Sequence, residues 1–244
     1  MSSEVYADCV QSLAGFLSFV EKHCEQFNHV LFRGQHQHWT LLPKLARLRM
    51  RRELHVLAAE TKMLTSFKSR AVALVDSMPE TEWDWLSIAQ HHGMATRLLD
   101  WTTNPLAALW FAVERPAVQG KEAVVWIFTH TEEDVVADPS AASPFDLDRT
   151  RVFQPRHVTR RIGAQHGWFT VHHHKGASGF IPLERNERFT NRLMRLQIPA
   201  GSFSSLRFAL DRCGINAATL YGDLMGLGRD AEWQQSALED EDIG

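Results

Sequence analysis

Apolar positions recur along this chain with two different periods. Leu13, Leu17, Val20 and Cys24 fall three or four residues apart, the spacing of one helix face. Glu53 to Leu74 repeats that period with good helix formers until Asp76-Ser77-Met78-Pro79 breaks it. A further helix is predicted from Trp83 to His91, with Leu86 and Ile88 facing inward and Gly93 as its stop. Leu106 to Val113 is apolar on every side, which marks a buried helix. Asn104 is placed to cap it, and Pro105 falls at the first position, where its missing N–H costs nothing. Short apolar runs predict strands instead: Val30-Leu31-Phe32 leading into Arg33-Gly34, Ala123 to Phe128, Gly167 to His173, Arg192 to Ile198 and Ala217 to Tyr221. Ser204 to Cys213 reads as a helix closed by Gly214, and Asp223 opens the last one.

Strands and helices in this order predict an α+β protein with a mixed, mostly antiparallel sheet core and helices around it. Residues 1–28 are expected to supply an N-terminal helix packed on the domain, 29–233 the domain itself, and 234–244 an acidic, mobile tail. The polar stretch from Asp134 to Asp148 is the best candidate for a lobe boundary.

Composition narrows the class. The 244 residues, 44% hydrophobic and 23% charged, suit a globular domain with a sizeable core. A net charge of −3 gives no global attraction to nucleic acid or anionic membrane. Arginines crowd one region, however, from Arg149 to Arg195, and could meet phosphates or form a solvated face. Cys9, Cys24 and Cys213 are too few and too odd in number for a disulfide framework, so a reducing, cytoplasmic setting is expected. No stretch approaches the roughly 20 apolar residues that cross a bilayer, and no membrane partner is expected.

Candidate chemistry concentrates in the run from Gln90 to Pro105, tied to the buried helix. Thr102 and Thr103 precede a helix N-terminus, which favours an anion, or they serve as auxiliary caps. Arg33 can aim a planar cation into a cleft while Gly34 permits close backbone approach; the bland reading is a structural ion pair. Asp100 is the nearest carboxylate, and Arg97 three residues earlier can simply pair with it. Asp223 is a rival acid or a helix cap. Gln90 and His91 can orient a substrate from a helix end. His172-His173-His174 cannot converge on one ion from a strand, and no metal is expected.

These segments together resemble the FRG-domain family. The matching residues are Phe32-Arg33-Gly34 with Trp39, Leu42 and Pro43; Gln90 to Gly93 with Thr96 to Thr102; Asn104-Pro105, Ala108 and Phe111-Ala112; Arg161-Ile162, Gln165, Gly167, Phe169 and His172; and Gly214-Ile215 with Tyr221 to Leu224. Ala95, Gly222 and Met225 depart from the family pattern. More weakly, a strand ending in aromatic-Arg-Gly before a buried Pro-x-x-Ala-x-x-Phe helix resembles arginine-type ADP-ribosyltransferases. That resemblance implies an ADP-ribosyltransferase-like fold and NAD as substrate. Arg33 and Gly34 would hold the pyrophosphate, with Arg97, Arg161 and Gln165 lining the cleft. Thr102 and Thr103 would contact the ribose side, with Thr96 also among the NAD-binding residues, Trp101 or Phe111 would flank nicotinamide, and Asp100 or Asp223 would stabilise the oxocarbenium ion. The expected function is an NAD-consuming transferase or glycohydrolase acting as an intracellular toxin or phage-defence effector, on a nucleic-acid or protein acceptor. The rival is a non-catalytic module binding nucleotide or nucleic acid through arginines and tryptophans.

Overall fold

The computed structural model describes residues 7–51, 55–75, 77–156 and 167–241. Its frame is a seven-stranded sheet. In chain order the strands are β1 (Ala7–Cys9), β2 (Val30–Gln35), β3 (Leu98–Thr102), β4 (Ala123–Thr129), β5 (Arg151–Phe153), β6 (Gly167–Val171) and β7 (Leu193–Ile198). They lie in the order β1-β7-β4-β2-β3-β6-β5, with only the short edge pair β1–β7 parallel. The protein is thus α+β with a mixed, mostly antiparallel sheet.

The helices among the described residues are α1 (Leu13–Cys24), α2 (Val56–Ala71), α3 (Glu82–His91), α4 (Pro105–Val113), α5 (Phe203–Arg212), α6 (Ala217–Tyr221) and α7 (Leu224–Trp233). Alternation along the strands feeds two faces. Phe32, Val125, Ile127 and Leu196 pack under α1, α4 and α5. Leu31, Leu99, Trp101, Trp126 and Phe128 pack against Leu41, Leu183 and Phe189 on the other face. Helix α4 is buried as its composition requires, and the Asn104 side chain accepts from the amides of Leu106 and Ala107.

Gly34 shows why the aromatic-Arg-Gly signature ends in glycine. A Cβ there would stand 1.9 Å from the Ala108 carbonyl oxygen, so the backbone of α4 rests directly on β2. The close approach permitted by this glycine is first of all to a helix of the same chain.

Three expectations need correction. Ala217 to Tyr221 is helix α6, not a strand; Asn216 and Thr219 form a reciprocal cap and Gly222 ends the helix at φ +61°. The Asp134–Asp148 stretch divides no lobes, since Asp134 is buried and bonded to Arg188 and Arg192. Its burial would raise the carboxyl pKa, but bonds from Thr131 and Arg188 hold it below the usual range. The acidic tail is not loose through Glu241. Asp240 and Glu241 pair with the buried Arg207, which also donates to the carbonyls of Val113 and Arg115. No described helix is long and apolar enough to cross a membrane.

Candidate functional site

The sheet parts between β2 and β3. Six residue pairs join β2 to β4 and five join β3 to β6, yet only Phe32 and Thr102 pair across the β2–β3 seam. Below that rung the strands diverge, and a side chain replaces the backbone ladder. Arg33 Nη1 donates to the Asp100 carbonyl at 2.7 Å and stands 3.6 Å from its carboxylate. A cavity of about 590 Å³ opens along this seam, within the size range of small-molecule sites. Its walls come from β2, the segment after it, the end of α3, β3, α4 and the start of β6.

The acid is held from beneath. Gln90 Nε2 donates to Asp100 Oδ2 at 3.1 Å, and Thr96 Oγ1 donates to Gln90 Oε1 at 2.7 Å. Thr96 is itself fixed, accepting from the amide of Leu98. This chain orients the Gln90 amide so that its N–H end faces the carboxylate. The Asp100 side chain remains 58% exposed, so an oriented carboxylate faces the open cavity. Arg33 is the electrostatic counterpart. Its Nε is buried without a hydrogen-bond partner, leaving donors unspent on a five-donor guanidinium. Burial lowers its pKa, Asp100 opposes that shift, and the charge of Arg47 adds to it. Arginine nevertheless stays cationic, and with Arg33, Arg47 and Arg115 against Asp100 and Glu114 on the wall the site keeps an excess of positive charge, which is attractive to an anion.

Placement differs among the residues singled out from sequence. Arg33, Gly34, Gln90, His91, Asp100, Trp101, Thr102 and Phe111 line one cavity. Thr102 also plays a capping part, its hydroxyl accepting from the Asn104 amide. Thr96 lies under the site rather than in it. Arg97 is elsewhere: it is buried in a two-pronged pair with Glu60 (Nη2 to Oε2, 2.6 Å) and donates to the Pro144 carbonyl. Trp101 alternates with Asp100, so its ring turns to the opposite face, packs at 5.3 Å from Phe128 and bonds Thr170. Trp101 thus borders the cavity but is 3% exposed, with most of its ring spent on packing. Thr103 is exposed and outside the cavity wall. Asp223 caps α7 through the Gly226 amide and is likewise outside the wall. Arg161 and Gln165 lie outside the described residues.

Other lining residues take no role from the sequence, although Trp39 and Tyr221 stand among those that match the FRG pattern. Trp39, Arg47 and Trp168 contribute aromatic and cationic surface, while Tyr221 donates to Glu114 Oε2 at 3.0 Å on the far wall. Glu114 follows the last residue of α4 and reads in sequence as an ordinary helix end. Among the described residues no three metal-ligating side chains gather. Behind Arg33 the fully buried His172 lies 3.2 Å from Thr170 Oγ1. Burial, with a smaller push from Arg33, lowers its pKa to about 4 despite a backbone contact at Ile181, so it is neutral at neutral pH.

An α+β protein with a cleft floored by an arginine between separating strands is the class defined by this geometry. Residues 28–121 match the FRG domain model, so this segment of the chain is similar to an FRG domain. The matched segment contains Arg33, Gln90, Asp100 and all of α4, the residues that build the core of the cleft. No curated protein and no solved structure matches the chain, and the weaker resemblance to ADP-ribosyltransferases gains no support there.

Proposed function

We propose that the cleft binds NAD and breaks its bond between ribose and nicotinamide, transferring ADP-ribose to an acceptor or to water. The observation that carries this reading is the pairing, in one open cavity, of a partly exposed guanidinium and an exposed, oriented carboxylate. Arg33, with Arg47 beside it, would bind the pyrophosphate, for which a planar guanidinium is suited. Nicotinamide leaves as a neutral base, and the ribose passes through an oxocarbenium-like state that a fixed anion stabilises. Asp100 is that anion, and Gln90 is its positioning residue. Phe111, Trp39 and Trp168 are the aromatic surfaces available to flank the rings of the substrate. An intracellular toxin or defence effector is the cellular role consistent with NAD consumption, and a cytoplasmic location goes with it.

The test is incubation of purified protein with NAD, with nicotinamide followed by chromatography. Wild type should release nicotinamide. Asp100→Asn should slow release by about 100-fold or more, the scale of removing one charge-stabilising group. Arg33→Lys should mainly raise KM, because a point charge replaces a bidentate fork. No release by a folded wild-type sample, with no thermal shift on adding NAD, overturns the reading.

A further inference from the structure

The arginines conspicuous in the sequence are mostly consumed. Arg188 and Arg192 bond Asp134, Arg151 bonds Asp148, and Arg156 bonds Asp84 and Glu80. A different set of cations is unspent. Lys44, Arg47, Arg49 and Arg51 lie on the segment leaving β2, and all four are exposed. None pairs with a carboxylate among the described residues; Lys44 instead donates to the Gly93 carbonyl at the cavity edge. Arg47 lines the cavity, and Arg51, four residues on, lies within roughly 14 Å of it by chain length alone. At the same mouth the Trp39 side chain is 47% exposed, far more than a tryptophan held for packing requires.

A line of uncompensated cations running from a cavity, with a tryptophan face at its mouth, matches the needs of a single-stranded nucleic acid. The cations track the phosphates and the ring stacks a base. In a chain of net charge −3 this is a local feature, not a consequence of overall basicity. We infer that the 44–51 segment and Trp39 form a docking surface for single-stranded RNA or DNA, whose nucleotide is presented at the cavity mouth as the acceptor of ADP-ribose. The acceptor role rests on the NAD reading above; the docking surface does not. In the transfer, the bond from ribose C1′ to the nicotinamide nitrogen breaks and nicotinamide departs with the electron pair. A nitrogen or oxygen lone pair of the acceptor forms the new bond to C1′, and its proton passes to Asp100.

The experiment uses the whole chain with fluorescein-labelled oligouridine and oligothymidine, read by anisotropy across a salt series, and with isotopically labelled NAD. Binding by wild type should weaken as salt rises. Arg49→Gln/Arg51→Gln should weaken it by about tenfold and flatten the log–log salt slope by about 0.7 for each lost phosphate contact. Trp39→Ala should weaken binding without changing that slope. Lys22→Gln/Arg212→Gln, which removes the same charge from α1 and α5, should leave it unchanged. No oligonucleotide binding at low salt, an equal loss in the α1/α5 variant, or binding to phosphatidylserine vesicles in place of oligonucleotide overturns the surface. Label appearing on the oligonucleotide supports the full proposal. Oligonucleotide binding without nicotinamide release overturns the NAD reading and leaves the docking surface standing; nicotinamide release without oligonucleotide binding does the reverse.

Discussion

At the scale of single residues, neighbouring positions do unrelated work. Arg97 and Asp100 are three apart and of opposite charge, which in a helix would pair them. They sit at the start of a strand instead, and Arg97 turns inward to Glu60, 37 residues away in sequence. That partner is invisible to any local spacing rule. The pair is fully buried, so removing one member strands the other. Arg97→Met or Glu60→Gln alone is expected to cost about 3–5 kcal/mol, while Glu60→Leu with Arg97→Met should cost much less. Urea denaturation of the two single variants and the double variant measures this. The same alternation that exposes Asp100 buries the Trp101 ring, which was readable once 98–102 is seen as a strand. Asp100 and Thr102 disguise it, because two polar residues in five break the apolar pattern that marks a central strand.

At the scale of elements, the legible pieces are those whose signals are chemical and local. Helix α4 declares itself through Asn104, Pro105 and an unbroken apolar run. Helices α3 and α5 end where Gly93 and Gly214 take positive φ. Helix α6 is misread because Ala-Ala-Thr-Leu-Tyr fits a buried strand as well as a single helical turn; the Asn216–Thr219 cap decides it. What sequence could not convey is that β2 and α4 touch backbone to backbone. Gly34→Ala must push α4 off the sheet, since the obstruction is a carbonyl oxygen rather than a flexible side chain. A loss of about 1–3 kcal/mol or more is expected, with a lower melting temperature and weakened ligand binding. A Gly34→Ala protein as stable as wild type would show that the helix can yield.

At the scale of the whole molecule, distant parts of the chain stabilise the site together. Arg207 gathers the carbonyls at the end of α4 and two acids from the C-terminal stretch, so residues 240 and 241 brace the wall that carries Glu114. His172 links the far edge of the sheet to acidity. Unfolded, its imidazole takes a proton near its ordinary value of about 6.5; folded, it does so only near 4. The unfolded chain therefore binds more protons across that window, and stability falls as pH drops from about 6.5 toward 4, by on the order of 3 kcal/mol from this group. Thermal melts of wild type against His172→Gln should converge at low pH as the wild-type advantage disappears. Parallel curves would assign the acid sensitivity to other groups.

The parted seam between β2 and β3 has a mechanical meaning as well. A ladder normally stiffens a sheet across every strand, but among the described residues the β2–β3 seam itself is joined by one paired rung and the Arg33 guanidinium. Whatever engages that guanidinium from the open side also tugs on its bond to the Asp100 carbonyl. A guest that bonds Arg33 in the cleft would therefore add a stitch where the backbone ladder lacks one.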